Sequence, residues 1–451
     1  VDKSAAIADI RTTPDVDNST MKFDIALDGT PKGDLTVTVL DGGNVVATKT
    51  VPAAKSNELS VSIAAPKLWF PASPFLYDVE VTLANGEDVL DSVTSYAAMR
   101  KISYRKTDDG YWRLQLNNED LFHYGLLDQG YWPDGLMTAP TDEALAYDIV
   151  KTRDWGFNMI RKHMKVEPAR WYYHCDRLGV LVWQDMPASY RSDEGWVTDR
   201  WHDAHNCSQD PALEKNYKEE WKEIIGQLYS HPSIVVWTPF NESWGQFKTA
   251  EIVDYTLSLD NTRLVNPASG GNHYQLGEGT FVDQHTYNQP INVIEAICDP
   301  TRPFALGEYG GLGRNMPGNR WFERNSQTYN TYTSEMSMTD AFVRLANQLV
   351  DLANGYENDS KKINYCAAVY TQTTDVETEV NGVMTYDREV VKFNEPRLYD
   401  AVSRLAGVYG TPSGVENIAV ESPVAKGDTL YFTPSGIQLA RPAHGLNIVK
   451  E

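Results

Sequence analysis

From about Leu121 onward the sequence carries eight short apolar runs in roughly 290 residues, and this spacing limits the folds open to it more than any other feature. The runs are His123–Leu127, Met159–Arg161, Val180–Trp183, Ile234–Trp237, Leu264–Asn266, Phe281–His285, Phe304–Leu306 and Tyr365–Tyr370. Each reads as a short buried strand. Helical stretches lie between several of them: Thr141-Asp-Glu-Ala opens one, with an N-cap threonine and acids in its first turn, and Leu213–Leu228 and Met338–Leu352 are others. Eight strands alternating with helices predict a (β/α)₈ barrel, whose functional groups sit at the C-terminal ends of its strands.

The region before the barrel has a different period. Met21–Leu27, Leu35–Val39, Leu59–Ile63 and Tyr77–Leu83 alternate apolar with polar residues, with turn signals at Asp28-Gly29, Asp41-Gly42-Gly43 and Asn85-Gly86. Short strands at this spacing predict an antiparallel β-sandwich of immunoglobulin type. Arg100–Phe122 reads as a connector with strand character at Trp112–Leu116. The expected organisation is a sandwich over residues 1–100, a catalytic barrel with its connector over 101–409, and a tail over 410–451. The tail has Gly-Pro-Ser punctuation and β-like pieces such as Thr429–Phe432, and reads either as a partial β-domain or as a strap along the barrel.

Two of the barrel runs end on glutamates. Ile234–Trp237 leads to Asn241-Glu242, near Phe240 and Trp244, and Phe304–Leu306 leads to Glu308 and then Gly310-Gly311. Burial raises a carboxyl pKa and lets the group hold a proton near neutrality. Two strand-end glutamates are what glycoside hydrolysis requires: one protonates the leaving oxygen, and the other attacks the anomeric carbon or activates water. A buried structural ion pair is the competing reading of either residue alone. Glycines after Glu308 let the backbone turn sharply and approach a ligand.

Composition narrows the partners. A formal net charge of −22 argues against nucleic acid or an anionic membrane, and the apolar runs are far too short to span a bilayer. Cys175, Cys207, Cys298 and Cys366 are widely separated and form no zinc-like cluster, so buried free thiols are expected. The 12 tryptophans and 25 tyrosines suit sugar stacking as well as core packing. The start Val1-Asp-Lys-Ser shows neither an initiator methionine nor a signal peptide, which reads as a processed or truncated product; the compartment of this soluble chain stays open, periplasmic or secreted being the options after processing. A homo-oligomer stays open.

With the sandwich leading into a barrel, His231-Pro-Ser…Asn241-Glu242-Ser and Arg302-Pro…Glu308-Tyr309, the chain resembles family 2 of the glycoside hydrolases, which includes β-galactosidases, β-glucuronidases and β-mannosidases. Gly156–Arg161 is similar to the family's second barrel strand, and Trp171–Gly179 to the helix before its third. The resemblance implies that Asn241 orients the sugar 2-hydroxyl, that Glu242 is the acid/base and that Glu308 is the nucleophile. It also implies that Arg161 sits near the nucleophile and that Tyr287, in His285-Thr-Tyr287, hydrogen-bonds it; core packing is the alternative for Tyr287 and His285. The family's usual N-terminal jelly-roll domain has no counterpart here, which suggests a missing segment.

Departures from the family concern specificity. After strand one the chain has Leu127–Trp132, where Asp128 and Gln129 are placed to grip hydroxyls and Trp132 to stack on a ring. After strand three, Gln184-Asp185-Met-Pro187 lacks the Glu-x-His pair that ligates metal in some members, so no metal and no other cofactor is expected. After strand eight the family's tryptophan is replaced by Tyr370–Asp375, leaving Gln372 as a candidate sugar contact. Strand alternation through Arg161-Lys162-His163-Met164-Lys165 sends Arg161, His163 and Lys165 one way and Lys162 the other. That trio either balances local acids such as Glu308 and Asp185 or binds a uronic acid carboxylate. The expectation is a retaining, exo-acting β-glycosidase for neutral sugars, β-galactosidase-like; a β-uronidase and a non-catalytic carbohydrate-binding protein are the alternatives.

Overall fold

The computed structural model describes residues 5–187, 211–242, 245–270, 279–294, 297, 299–323, 326, 328–357 and 362–410, with the backbone of 430–432, 438–439 and 448–450. Seven strands form the N-terminal sandwich. Ala5–Asp15, Thr20–Gly29 and Ser56–Ser62 make one antiparallel sheet; Asn44–Pro52, Asp34–Asp41, Tyr77–Asn85 and Asp88–Ala97 make the other. The alternation works as read: Met21, Phe23, Ile25 and Leu27 of one sheet meet Leu35, Val37, Val39, Val79, Val81 and Leu83 of the other in a single core. The three strands that the sequence pattern did not mark are Ala5–Asp15, Asn44–Pro52 and Asp88–Ala97. All lie at sheet edges, where one-sided burial is weak; Asn44–Pro52 has no fully buried residue.

The connector forms three short antiparallel strands, Ile102–Lys106, Trp112–Leu116 and Glu119–Asp120. Its Ile102, Leu114, Leu116 and Leu121 pack with Met159, Trp183, Val236, Phe281, Ala305 and Val369, which fill the barrel interior. Trp69 and Phe70 join the same cluster, so sandwich, connector and barrel share one apolar mass.

The eight barrel strands, in order, are His123–Asp128, Met159–Lys162, Leu181–Asp185, Ile234–Thr238, Leu264–Val265, Val282–Thr286, Phe304–Gly310 and Tyr365–Thr371. They are parallel, and the ladder runs five-four-three-two-one-eight-seven-six. Strands five and six are joined beyond the ladder, through the Thr280 N–H on the Val265 carbonyl (2.8 Å) and the Asn266 amide on Asp283 (2.6 Å). Six helices are present among the described residues: Asp142–Asp154, Ala169–Leu178, Pro211–Leu228, Thr249–Leu259, Glu335–Asn354 and Glu395–Ala406. Thr141 caps the first, accepting the Ala144 N–H at 3.1 Å.

The His231-Pro-Ser turn has a structural task. Asp176 accepts from the Ser233 N–H at 2.9 Å and contacts His231 Nδ1 at 2.7 Å, while the Tyr96 hydroxyl of the sandwich donates to it at 2.6 Å. Arg100 donates to the carbonyls of Pro232 and Ile234 at 2.9 and 3.0 Å. The start of strand four is thereby pinned from both domains, which fixes the depth at which its far end, Asn241-Glu242, emerges.

Cys175 and Cys366 are buried free thiols; Cys207 and Cys298 lie outside the described residues. In the tail, Leu430–Phe432 pairs antiparallel with Gln438–Leu439 and Ile448–Lys450, and the choice between partial domain and strap lies outside the described residues.

Candidate active site

Glu308 owes its position to an irregularity. Strand seven holds Leu306 opposite Gln284 but Glu308 opposite His285, so Gly307 is an extra residue on strand seven. Such a bulge leaves backbone groups outside the ladder and re-aims the next side chain. Here both groups find partners: the Gly307 N–H donates to Asp283 at 2.6 Å and its carbonyl accepts from Arg161 at 3.1 Å. Only glycine fits, because a Cβ at 307 would lie 2.1 Å from Asp283 Oδ2. Glu308 itself accepts from Arg161 Nη1 at 3.2 Å and from the Tyr287 hydroxyl at 2.5 Å. The Tyr287 ring stacks on Tyr329 with centroids 3.5 Å apart. Gly311 makes room for these two rings, and its left-handed φ of 57° adds the turn.

Glu242 sits just past strand four with φ at +48°, an unusual conformation for a residue with a side chain. Its N–H donates to the Ser269 carbonyl at 2.8 Å, and the Ser269 N–H donates to Phe240 at 2.9 Å, so the turn is tied to the end of strand five. Glu242 Oε1 meets His285 Nδ1 at 2.9 Å. On the other side of the ring, His285 Nε2 is 2.8 Å from Ser269 Oγ, whose hydroxyl donates to Asp283 at 2.5 Å. Since the Ser269 proton is directed at Asp283, Ser269 accepts from Nε2–H, and the proton between Nδ1 and Glu242 is shared by that pair. Burial works to lower the His285 pKa, but Glu308, Glu242 and Asp283 outweigh it and hold the imidazole above its ordinary range.

One oxygen of Glu242, one of Glu308 and a ring nitrogen of His285 all lie within 4.8 Å of one another. Three such donors could hold a cation, although Glu308 already accepts from Arg161 and Tyr287, and His285 Nδ1 already meets Glu242. The Glu308 side chain is 7% exposed and that of Glu242 19%.

Arg161 is the hub of the site and fully buried. It makes two bonds to Asp185 (3.1 and 2.9 Å), one to Glu308, and one to the Asn241 carbonyl oxygen at 2.7 Å. Burial alone would depress the guanidinium, but Asp185 and Glu308 raise it instead. In return, burial pushes the Asp185 carboxyl up while Arg161 and His163 draw it below the usual range. With its oxygen on Arg161, Asn241 presents its amide N–H₂ to the cleft.

The cleft has a volume of about 600 Å³ and is lined by Gln129, Tyr131, His163, Asn241, Glu242, Tyr287, Glu308, Tyr329 and the segment Val376–Glu379, among others. Gln129, His163, Asn241, Glu242, Tyr287 and Glu308 therefore converge as read from the sequence. Gln372 and His285 stand directly behind the lining: Gln372 accepts from Gln129 at 2.9 Å, and His285 backs Glu242.

Several expectations need correction. Asp128 does not line the cleft; its buried carboxylate is held by Lys162 at 2.7 Å and the Gly130 N–H at 3.0 Å. Trp132 is buried with the Arg388 guanidinium 3.8 Å above its ring, and Tyr131 faces the cleft in its place. Beyond the end of strand one at Asp128 the backbone turns at Gly130, whose φ is +66°. Lys165 does not join Arg161 and His163. Met164, with φ of +50°, turns the backbone, and Lys165 bonds Glu167 at 2.9 Å and the Gly130 carbonyl at 2.6 Å. Phe240 does not wall the Glu242 carboxyl; it stacks on Tyr217 in a core cluster at 5.3 Å. Trp244 lies outside the described residues. Among the described residues Glu242 has a polar partner, His285, at 2.9 Å.

Fold and site define a sandwich-plus-(β/α)₈-barrel protein with two glutamates converging in one polar cleft. The chain belongs to family 2 of the glycosyl hydrolases: the family's TIM barrel domain matches residues 138–395, and the family's preceding domain matches 5–100. It is 28% identical over 337 residues to β-mannosidase B of Thermothelomyces thermophilus, covering 70% of this chain and 34% of that protein. It is 24% identical over 340 residues to the β-galactosidase of Photobacterium profundum, covering 69% and 32%. The chain spans only 21–34% of the length of such curated relatives. The β-galacturonidase of Eisenbergiella tayi, solved with galacturonate, has the same fold, with a TM-score of 0.65 at 18% identity over 88% of this chain and 72% of that one. No described helix is long and apolar enough to cross a membrane.

Proposed function

We propose that the chain is a retaining, exo-acting β-glycosidase that removes terminal neutral sugars in a β-galactosidase-like manner. The observation that carries this reading is the approach of the two glutamates, with an oxygen of each within 4.8 Å. Retaining enzymes hold their carboxyl groups about 5–5.5 Å apart, whereas inverting ones leave room for a water between them.

Glu308 attacks the anomeric carbon. Arg161 and Tyr287 each hold one of its two oxygens, at 3.2 and 2.5 Å. Glu242 gives the leaving oxygen the proton it shares with His285, and later takes one from the attacking water. Asn241, locked by Arg161, donates to the glycone hydroxyl next to the reacting carbon.

Preference for a neutral glycone is supported by the charge of the walls. Among the described residues lining the cleft there is no lysine or arginine, while Glu377 and Glu379 add to the two catalytic carboxylates. Lys165, the sequence's candidate for gripping a uronate, is bound to Glu167 and Gly130. The uronidase reading has in its favour a putative β-glucuronidase of Formosa agariphila, 29% identical over 231 residues, besides the galacturonate-bound neighbour, whose likeness is one of fold.

A panel of chromogenic β-glycosides tests the reading. Turnover of a neutral β-glycoside with none of the matching uronide is the expected result. Turnover of the uronide alone would replace the neutral-sugar reading, and saccharide binding without turnover would replace the enzyme by a binding protein.

A further inference from the structure

The loop after strand eight places one acid in the cleft that the proposed chemistry does not use. Glu379 is half-buried in the wall that includes Val376, Glu377 and Thr378. Among the described residues only its Oε2 has partners. It accepts from Gln372 Nε2 at 2.7 Å and from Asn381 Nδ2 at 3.3 Å. Gln372 is fixed in turn by Asn381 at 2.9 Å and by Gln129, which donates to it at 2.9 Å from beyond the end of the neighbouring strand one. No partner is seen for Oε1 among the described residues. Glu308, Glu242 and His163 line the same cleft, and their charges bear on the carboxylate after its own burial and its bond from Asn381.

A carboxylate is an acceptor with about four lone-pair sites, and fixing one oxygen by two amides aims the other. Placed in a sugar-sized cleft, it suits a hydroxyl donor, to which it makes a charge-assisted bond. It is equally unsuited to a second carboxylate. Like charges in a partly dry cleft repel, and the two catalytic glutamates already carry that burden.

Building on the glycosidase reading, we propose that Glu379 is the glycone-specificity residue, which accepts a hydrogen bond from a hydroxyl of a neutral sugar and repels the carboxylate of a uronic acid. The network Gln129–Gln372–Glu379 sets its direction, so the two glutamines act as positioning residues. The departure after strand eight, where the family's tryptophan gives way to Tyr370–Asp375, thereby acquires a function: a hydrophilic wall aimed by hydrogen bonds replaces an indole.

The test pairs substrate and protein changes. Wild type, Glu379→Ala and Glu379→Gln are assayed on the best neutral aryl β-glycoside and on its 3-, 4- and 6-deoxy analogues, with the matching uronide alongside. In the wild type one deoxy analogue should lose about 10- to 100-fold in kcat/KM, the cost of one charge-assisted hydrogen bond. In Glu379→Ala that penalty should shrink to less than about threefold, because parent and analogue then lack the same bond. Glu379→Gln, which keeps volume and an acceptor, should retain more parent activity than the alanine variant and raise the uronide-to-neutral ratio at least tenfold. If the wild type is active but the deoxy penalty persists undiminished in Glu379→Ala, or no analogue is penalised, the role of Glu379 is overturned and the glycosidase reading stands. If the wild type cleaves no neutral glycoside, both fall together.

Discussion

Arg161 holds Asp185 through two hydrogen bonds of 3.1 and 2.9 Å while it donates to Glu308 at 3.2 Å, so two buried acids share one buried guanidinium. Neither acid could be buried at this depth alone.

The first prediction follows from that bridge. Asp185→Asn keeps the volume but leaves the buried cation short of one anion, and should cost roughly 3 kcal/mol at pH 7, the low end for breaking a buried pair. The Asp185 pKa is depressed in the folded protein. Its contribution is therefore present above the unfolded value of about 3.9 and fades as pH falls through the folded one. Urea unfolding at pH 7 and pH 3 should show the gap between wild type and variant narrowing at the lower pH; an equal gap at both would contradict the assignment.

The Glu242–His285 pair makes a kinetic prediction. The two share one proton at 2.9 Å, and the raised His285 pKa lets the pair keep it above the ordinary imidazole range. In His285→Gln that proton must reside on Glu242 alone. The basic limb of the kcat/KM profile should then move to lower pH by about one unit or more. A basic limb that stays in place would show that His285 only packs.

His123, inside the barrel, predicts a pH effect with the opposite kind of group. Its Nδ1 accepts from Trp183 at 3.1 Å, and burial drives its pKa down to about 3. Between about pH 3 and 6.5 the unfolded chain binds a proton there that the folded chain does not, so stability falls with falling pH. From pH 7 to pH 5 the loss from this group is roughly 2 kcal/mol. His123→Leu should flatten the stability profile over that interval, measured by denaturant unfolding; an unchanged slope would assign the acid sensitivity elsewhere.

Chelation should leave activity intact. The atoms of Glu242, His285 and Glu308 that could bind a cation are engaged with one another, Arg161 and Tyr287. Dialysis against EDTA should change turnover by less than about twofold. A loss restored by magnesium would show that a metal belongs to this site.

Much of the architecture was legible because barrel strands buried on both faces are contiguous apolar runs, and all eight fall where those runs lie. Glu242 and Glu308 were legible for a related reason, since the end of a barrel strand points its side chains at one place, while the place of Arg161 beside Glu308 came from the family resemblance. What the sequence hid begins where regular backbone stops. Gly130 and Met164, both with positive φ, turn the backbone ahead of Trp132 and Lys165, so alternation counted across Met164 misplaces Lys165. Asp283 and Ser269 act through the bulge at Gly307 and through contacts between strand ends, 14 residues apart in sequence, for which no local pattern exists. Glu379 lies in irregular chain after strand eight, and only three-dimensional proximity to Glu308 distinguishes it from other acids of an acidic protein. Asn44–Pro52 escaped notice for the simplest reason: an edge strand that buries little carries little pattern.

The central claim is that Glu308 forms a covalent bond to the sugar with Glu242 close enough to serve both half-reactions, an oxygen of each lying within 4.8 Å. The most direct measurement is intact-protein and peptide mass spectrometry after incubation with an activated 2-deoxy-2-fluoro β-glycoside of the preferred neutral sugar. The account predicts a mass increase of one fluoroglycosyl group per chain, located on Glu308, that is absent in Glu308→Gln and accumulates further in Glu242→Ala, where the water lacks its base. No adduct on an active enzyme, or an adduct on another residue, would contradict it.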